Sequence, residues 1–132
     1  MDFAENYSFD IQNEVQGFHW TNKQATVHPV VCYFRGLTGT IEHQSLCFLS
    51  EVLDHDVPMV YHIQKQTILY LETKIHSLSN IEYFTDGCTA QYKKFKSLLN
   101  LLFHEYDLGV SACWSFHATG HRKMLVMASV AL

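Results

Sequence analysis

The sequence predicts a single mixed α/β domain: three antiparallel strands, then helix, strand, helix, strand, with the helices packed on the sheet. Three observations predict it. The chain has 132 residues, enough for one core. Its first half carries short runs rich in Tyr, Phe, Val and Ile between polar turns, and after Asp54 the apolar residues recur at helical spacing.

Along the chain, Phe3 to Gln16 and Ala25 to Phe34 read as β-prone stretches separated by the polar turn Trp20-Thr21-Asn22-Lys23-Gln24. Gln44 to Val52 follows the turn Gly36-Leu37-Thr38-Gly39 and reads as a third strand. Asp54-His55-Asp56 then offers N-cap residues, Pro58 fits a first helical turn, and Val60, Ile63, Thr67, Leu71 and Ile75 mark a helix of about 18 residues. Ile81 to Phe84 is a fourth strand, stopped at Thr85-Asp86-Gly87. A second helix spans Ala90 to about Tyr106. Its residues Phe95, Leu98, Leu99, Leu102 and Phe103 are expected to face the core, with Lys93, Lys94 and Lys96 toward water. Gly109 ends it, Val110 to His117 is a fifth strand, and Met124 to Leu132 is an apolar tail.

Three consecutive strands favour a meander, and the later alternation requires right-handed crossovers between parallel neighbours. This order matches the ribonuclease H-like fold, a mixed five-stranded sheet in which strand one lies beside strand four. The expected organisation is an incomplete domain over residues 1–123 and a tail over 124–132, with the C-terminal helix of that fold lost or replaced.

Composition narrows the function. Hydrophobic residues make up 48% and charged residues 17%, a balance that buries a core and argues against disorder. The net charge of -4 has the wrong sign for a protein that chiefly coats phosphate backbones, although local basic patches remain compatible with it. No apolar run reaches the roughly 18 residues of a membrane span, and acids at Asp2, Glu5 and Asp10 disfavour a signal peptide. Cys32, Cys47, Cys88 and Cys113 are widely spaced, so the reading is of reduced, mostly buried thiols in an intracellular protein.

Asp86 stands at the C-terminal end of a predicted buried strand, where open α/β sheets place their ligands; its bland role is to cap the next helix or make an Asp-Gly turn. Asp2, at the start of strand one, gains meaning only from Asp86. If strands one and four are neighbours, the two carboxylates converge as oxygen ligands for hard cations, half of a two-metal phosphoryl-transfer site.

Four segments carry a family resemblance: Asp2-Phe3-Ala4-Glu5-Asn6-Tyr7-Ser8-Phe9, Gln16-Gly17-Phe18-His19-Trp20, Phe84-Thr85-Asp86-Gly87-Cys88 with Ala90-Gln91-Tyr92-Lys93, and Trp114-Ser115-Phe116-His117-Ala118-Thr119-Gly120-His121. Together, over roughly Asp2 to Lys123, they resemble transposon-derived proteins with a DDE-type transposase or integrase core of ribonuclease H-like fold. The resemblance implies that Asp2 and Asp86 match the first two acidic, metal-holding positions, with Mg²⁺ or Mn²⁺ as cofactor and DNA as partner. It implies a nuclear location if DNA is bound.

The chain also departs from that pattern. Members carry a third acid on a helix beyond the fifth strand, whereas here no acid follows Asp107. The start at Met1, immediately before Asp2, suggests that upstream sequence, including a separate DNA-binding module, has been lost. Phosphoryl transfer depends on positioning and charge stabilisation, so loss of one ligand predicts a catalytically impaired remnant that holds a hydrated Mg²⁺ only weakly. The alternatives are an active metal-dependent nuclease or strand-transfer enzyme, its third acid supplied by Glu51, Asp54 or a partner chain, and an interaction module that self-associates through the tail.

Other constellations are weaker. Cys113, His117 and His121 have a zinc-like spacing, but a strand running into Gly120 makes a shared ligand face doubtful, and a buried Cys113 is the simpler reading. Cys88 lacks a base at identifiable spacing and reads as a small buried residue. Lys93, Lys94 and Lys96 are candidates for nucleic-acid phosphate near Asp86, set against an ordinary solvated helix face.

Overall fold

The computed structural model describes residues 7–8, 24–86, 95–117 and 126–130, and it is a mixed α/β structure. The elements run β1 (Tyr7–Ser8), β2 (Gln24–Arg35), β3 (Ile41–Ser50), α1 (Val57–Glu72), β4 (Leu78–Asp86), α2 (Phe95–Leu102), α3 (His104–Leu108), β5 (Ser111–His117) and β6 (Val126–Val130).

β2 and β3 form an antiparallel hairpin, from Arg35 opposite Ile41 to Thr26 opposite Ser50. The turn closes through Gly39 N–H to the Gly36 carbonyl and Gly36 N–H to the Thr40 carbonyl, each at 2.9 Å. Gly39 sits at φ 80°, a left-handed conformation that glycine adopts without a Cβ penalty. Along β2, Thr26, His28, Val30, Cys32 and Phe34 all project to one buried face.

α1 covers that face. Asp56 caps it, its Oδ1 accepting from the Met59 N–H at 3.1 Å, and Pro58 lies in the first turn, where a missing N–H costs nothing. Val60, Ile63, Thr67 and Leu71, spaced as the sequence predicts, are all buried, as is Ile75 beyond the helix end. Val60, Ile63, Leu71 and Ile75 pack with Val30, Cys32 and Phe34 of β2, Ile81 and Tyr83 of β4, and Val110 in one core.

β4 and β5 pair in parallel from Asn80 opposite Ser111 to Asp86 opposite His117, which is the crossover geometry expected of the β-α-β segment. The centre of the sheet differs from expectation. Strand order is β1-β2-β6-β4-β5, with β3 on β2, so the sheet has six strands rather than five. The position between β2 and β4 is held by β6, drawn from the apolar tail; β6 is parallel to β2 and antiparallel to β4. The described part of strand one, Tyr7–Ser8, pairs instead with Ala25 and Gln24 at the start of β2. The facing edges of β2 and β4 each present a row of backbone donors and acceptors, and the tail satisfies both as a strand, not as a helix.

The second helix also departs from its predicted orientation. It divides at Phe103 into α2 and α3, and Phe95, Leu98, Leu102 and Phe103 are exposed, while Ser97 and His104 are buried. His104 is held at both ring nitrogens. Its Nδ1 lies 2.6 Å from the Val110 carbonyl and its Nε2 lies 2.9 Å from the Tyr83 hydroxyl. Ser97, seven residues earlier and in α2, is buried as well, and the apolar stripe of α2 lies outward. Gly109, at φ 72°, ends α3 as predicted, with its N–H on the Glu105 carbonyl.

Candidate functional site

β3 runs antiparallel to β2, β6 parallel to it, and β4 antiparallel to β6, so β3, β4 and β5 all finish at the same rim of the sheet. Strand C-terminal ends are where ligands collect in α/β folds. Asp86 is the last residue of β4, level with His117, the last residue of β5. The same rim carries Glu51 after β3 and the Asp54-His55-Asp56 segment at the start of α1.

The strand leading to Asp86 is held firmly. Thr85 is buried and its Oγ1 accepts from the Trp114 indole N–H at 2.8 Å. Trp114 stacks on Phe116 with ring centroids 5.7 Å apart and tilts against Tyr83 at 5.6 Å. On the opposite face the Ser115 hydroxyl donates to Glu82 Oε1 at 3.0 Å. β4 and β5 are thus tied by side chains on both faces up to the residue before Asp86.

A second polar group lies at the start of β2. The buried Thr26 hydroxyl donates to the Val52 carbonyl at 2.7 Å and lies 3.4 Å from His55 Nε2. His28 is buried on the same face, and burial, with a smaller contribution from His55, pushes its pKa down to about 3. His28 is therefore a neutral imidazole at pH 7. This group escaped sequence analysis, although His28 occupies an inward position of a strand whose other inward residues are Thr26, Val30, Cys32 and Phe34. That alternation was the available signal.

The candidate residues fall as follows. Asp86 closes β4 as expected. Asp2, Lys93, Lys94, Cys88 and His121 lie outside the described residues, so the convergence of Asp2 on Asp86 and the basic cluster are expectations carried by the sequence. Lys96 is exposed on α2. Glu51 and Asp54 are exposed, and β3 stands three strand positions from β4, about 14 Å between backbones. Among the described residues, no group of three or more His, Cys, Asp or Glu is arranged to hold a metal ion.

The cysteines correct one expectation. Cys32 is buried, and burial pushes its thiol up to about 11, but Cys47 and Cys113 are exposed. Cys47 pairs with Pro29 and Cys113 with Glu82, on the sheet face turned away from α1. No helix among the described residues is long and apolar enough to cross a membrane.

No curated protein and no solved structure matches the chain. A family model described as a domain of unknown function, DUF8701, matches residues 1–128, and the chain belongs to that family.

Proposed function

We propose that the chain is a transposon-derived, ribonuclease H-like domain, a catalytically impaired remnant of a DNA transposase or integrase that retains weak divalent-metal and nucleic-acid contact. One observation carries the reading: Asp86 ends β4, beside a parallel β5, at the rim where three strands finish. That is the position at which the resemblance puts the second acid. β2 and β4 flank one shared position with β3 and β5 outside them, but that position is held by β6, where the resemblance puts strand one.

The chemistry of a remnant follows from its ligand count. Asp86, with Asp2 as the expected second carboxylate, supplies hard oxygen donors suited to Mg²⁺ or Mn²⁺, which keep several waters and accept one or two carboxylates. A bound divalent ion would supply charge stabilisation for phosphoryl transfer. Residues 108–132 carry no acid, so the proposed pair, Asp2 and Asp86, amounts to part of a two-metal clamp. Lys96, with Lys93 and Lys94, supplies cations for a phosphate backbone on the segment that follows Asp86.

Mn²⁺ titration calorimetry on the whole chain tests the reading. Weak binding that disappears in Asp86→Ala and falls in Asp2→Ala is the expected result; an affinity unchanged by both substitutions overturns it. DNA nicking is expected to be absent with Mg²⁺ and Mn²⁺. Divalent-dependent nicking abolished by either substitution would instead establish an active nuclease with a non-standard third acid.

A further inference from the structure

The buried residues of the α2–α3 segment, Ser97 and His104, are both polar, while five large apolar side chains are exposed, unlike an ordinary surface helix. Phe95 is 73% exposed, Leu98 48%, Leu102 78%, Phe103 55% and Tyr106 89%. Phe95, Leu98 and Leu102 recur at i, i+3 and i+7, one stripe along α2. The five side chains together offer about 600 Å² of surface, at the upper end of what a soluble monomer leaves uncovered in one patch.

We propose that this face is a self-association surface, on which the α2–α3 segment of a second copy of this chain docks antiparallel about a twofold axis. The inference is independent of the function proposed above. Two observations select a second copy as the occupant. The first is area: about 600 Å² from each partner gives about 1,200 Å² in all, the lower bound of a specific interface. The second is charge. Lys96 is exposed near the start of the segment, and Glu105 and Asp107 are exposed near its end. A twofold axis passing between Leu98 and Leu102 brings the basic end of each copy against the acidic end of the other, so the same pairing forms twice. A parallel arrangement would set like charges together.

Sedimentation velocity across a concentration series tests this on the full chain. A monomer–dimer equilibrium is expected, reduced to monomer by Leu98→Glu with Leu102→Glu while circular dichroism is retained. Lys96→Glu alone and Glu105→Lys with Asp107→Lys alone should each weaken the dimer about tenfold. Mixing those two variants should restore it as a heterodimer, because the new acid at position 96 of one copy then faces the new bases at positions 105 and 107 of the other, while the native pair forms on the other side. A chain that stays monomeric at every soluble concentration overturns the proposal. So does a dimer indifferent to the leucine substitutions, or charge variants that fail to rescue one another.

Discussion

Tyr83 on β4 and His104 on α3 share a buried 2.9 Å hydrogen bond, and the second nitrogen of the same imidazole lies 2.6 Å from the Val110 carbonyl. A carbonyl only accepts, so Nδ1 carries the proton and Nε2 accepts from the Tyr83 hydroxyl. The neutral imidazole thus bolts the helical segment to the strand bearing Asp86. Burial lowers the His104 pKa and raises that of Tyr83, both favouring this neutral pair. Tyr83→Phe removes the donor and leaves Nε2 buried without it. The variant should lose about 1–2 kcal/mol in urea unfolding, with its secondary structure retained.

His28 makes stability depend on acidity. Its folded pKa, about 3, lies below the unfolded value of about 6.5, so the unfolded chain binds the proton more readily. The neutral form's contribution is complete above pH 6.5 and is lost as the pH falls toward 3. Between pH 7 and pH 5, wild type should lose about 2 kcal/mol more than His28→Phe, read from urea midpoints at both values. Equal losses would remove His28 as the source.

Asp56 should contribute through its cap alone. Its Oδ1 satisfies the Met59 N–H at the half-buried start of α1, and Asp56→Ala should cost about 1 kcal/mol without changing the denaturant slope.

Ser97 predicts a gain. Its hydroxyl is buried with no hydrogen-bond partner among the described residues. Ser97→Ala removes an unsatisfied group and improves helix propensity, so the midpoint should rise by the equivalent of about 1 kcal/mol. A fall would show that the hydroxyl is bonded in solution.

These outcomes bear on what the amino-acid order reveals. The β2–β3 hairpin, α1 with its Asp56 cap and Pro58, the helix stop at Gly109 and the end of β5 at His117 were all legible, because each is set by residues within a few positions of one another. The orientation of α2 was not. Its apolar periodicity is real, but its buried residue is Ser97, and beyond the break at Phe103 the buried His104 bonds to Tyr83, 21 residues away, a contact that local spacing does not show. The role of Val126–Val130 was illegible for a similar reason: an apolar tail shows no sign of which strand edges need a partner. Of the site, Asp86 at a strand end was readable from Thr85-Asp86-Gly87, whereas the Thr26, His28 and His55 group depends on strand β2 meeting the α1 entrance.

The place of β6 bears on how the chain reaches this state. Ladder hydrogen bonding between the hairpin half of the sheet and the β4–β5 half passes through β6, which follows all the other described strands in sequence. During synthesis the two halves would emerge from the ribosome as separate ribbons, each with a bare inner edge, and could zip together only once Val126–Val130 is free. Such late closure over long sequence separation slows folding and leaves the nascent polypeptide dependent on protection from mispairing until β6 has emerged.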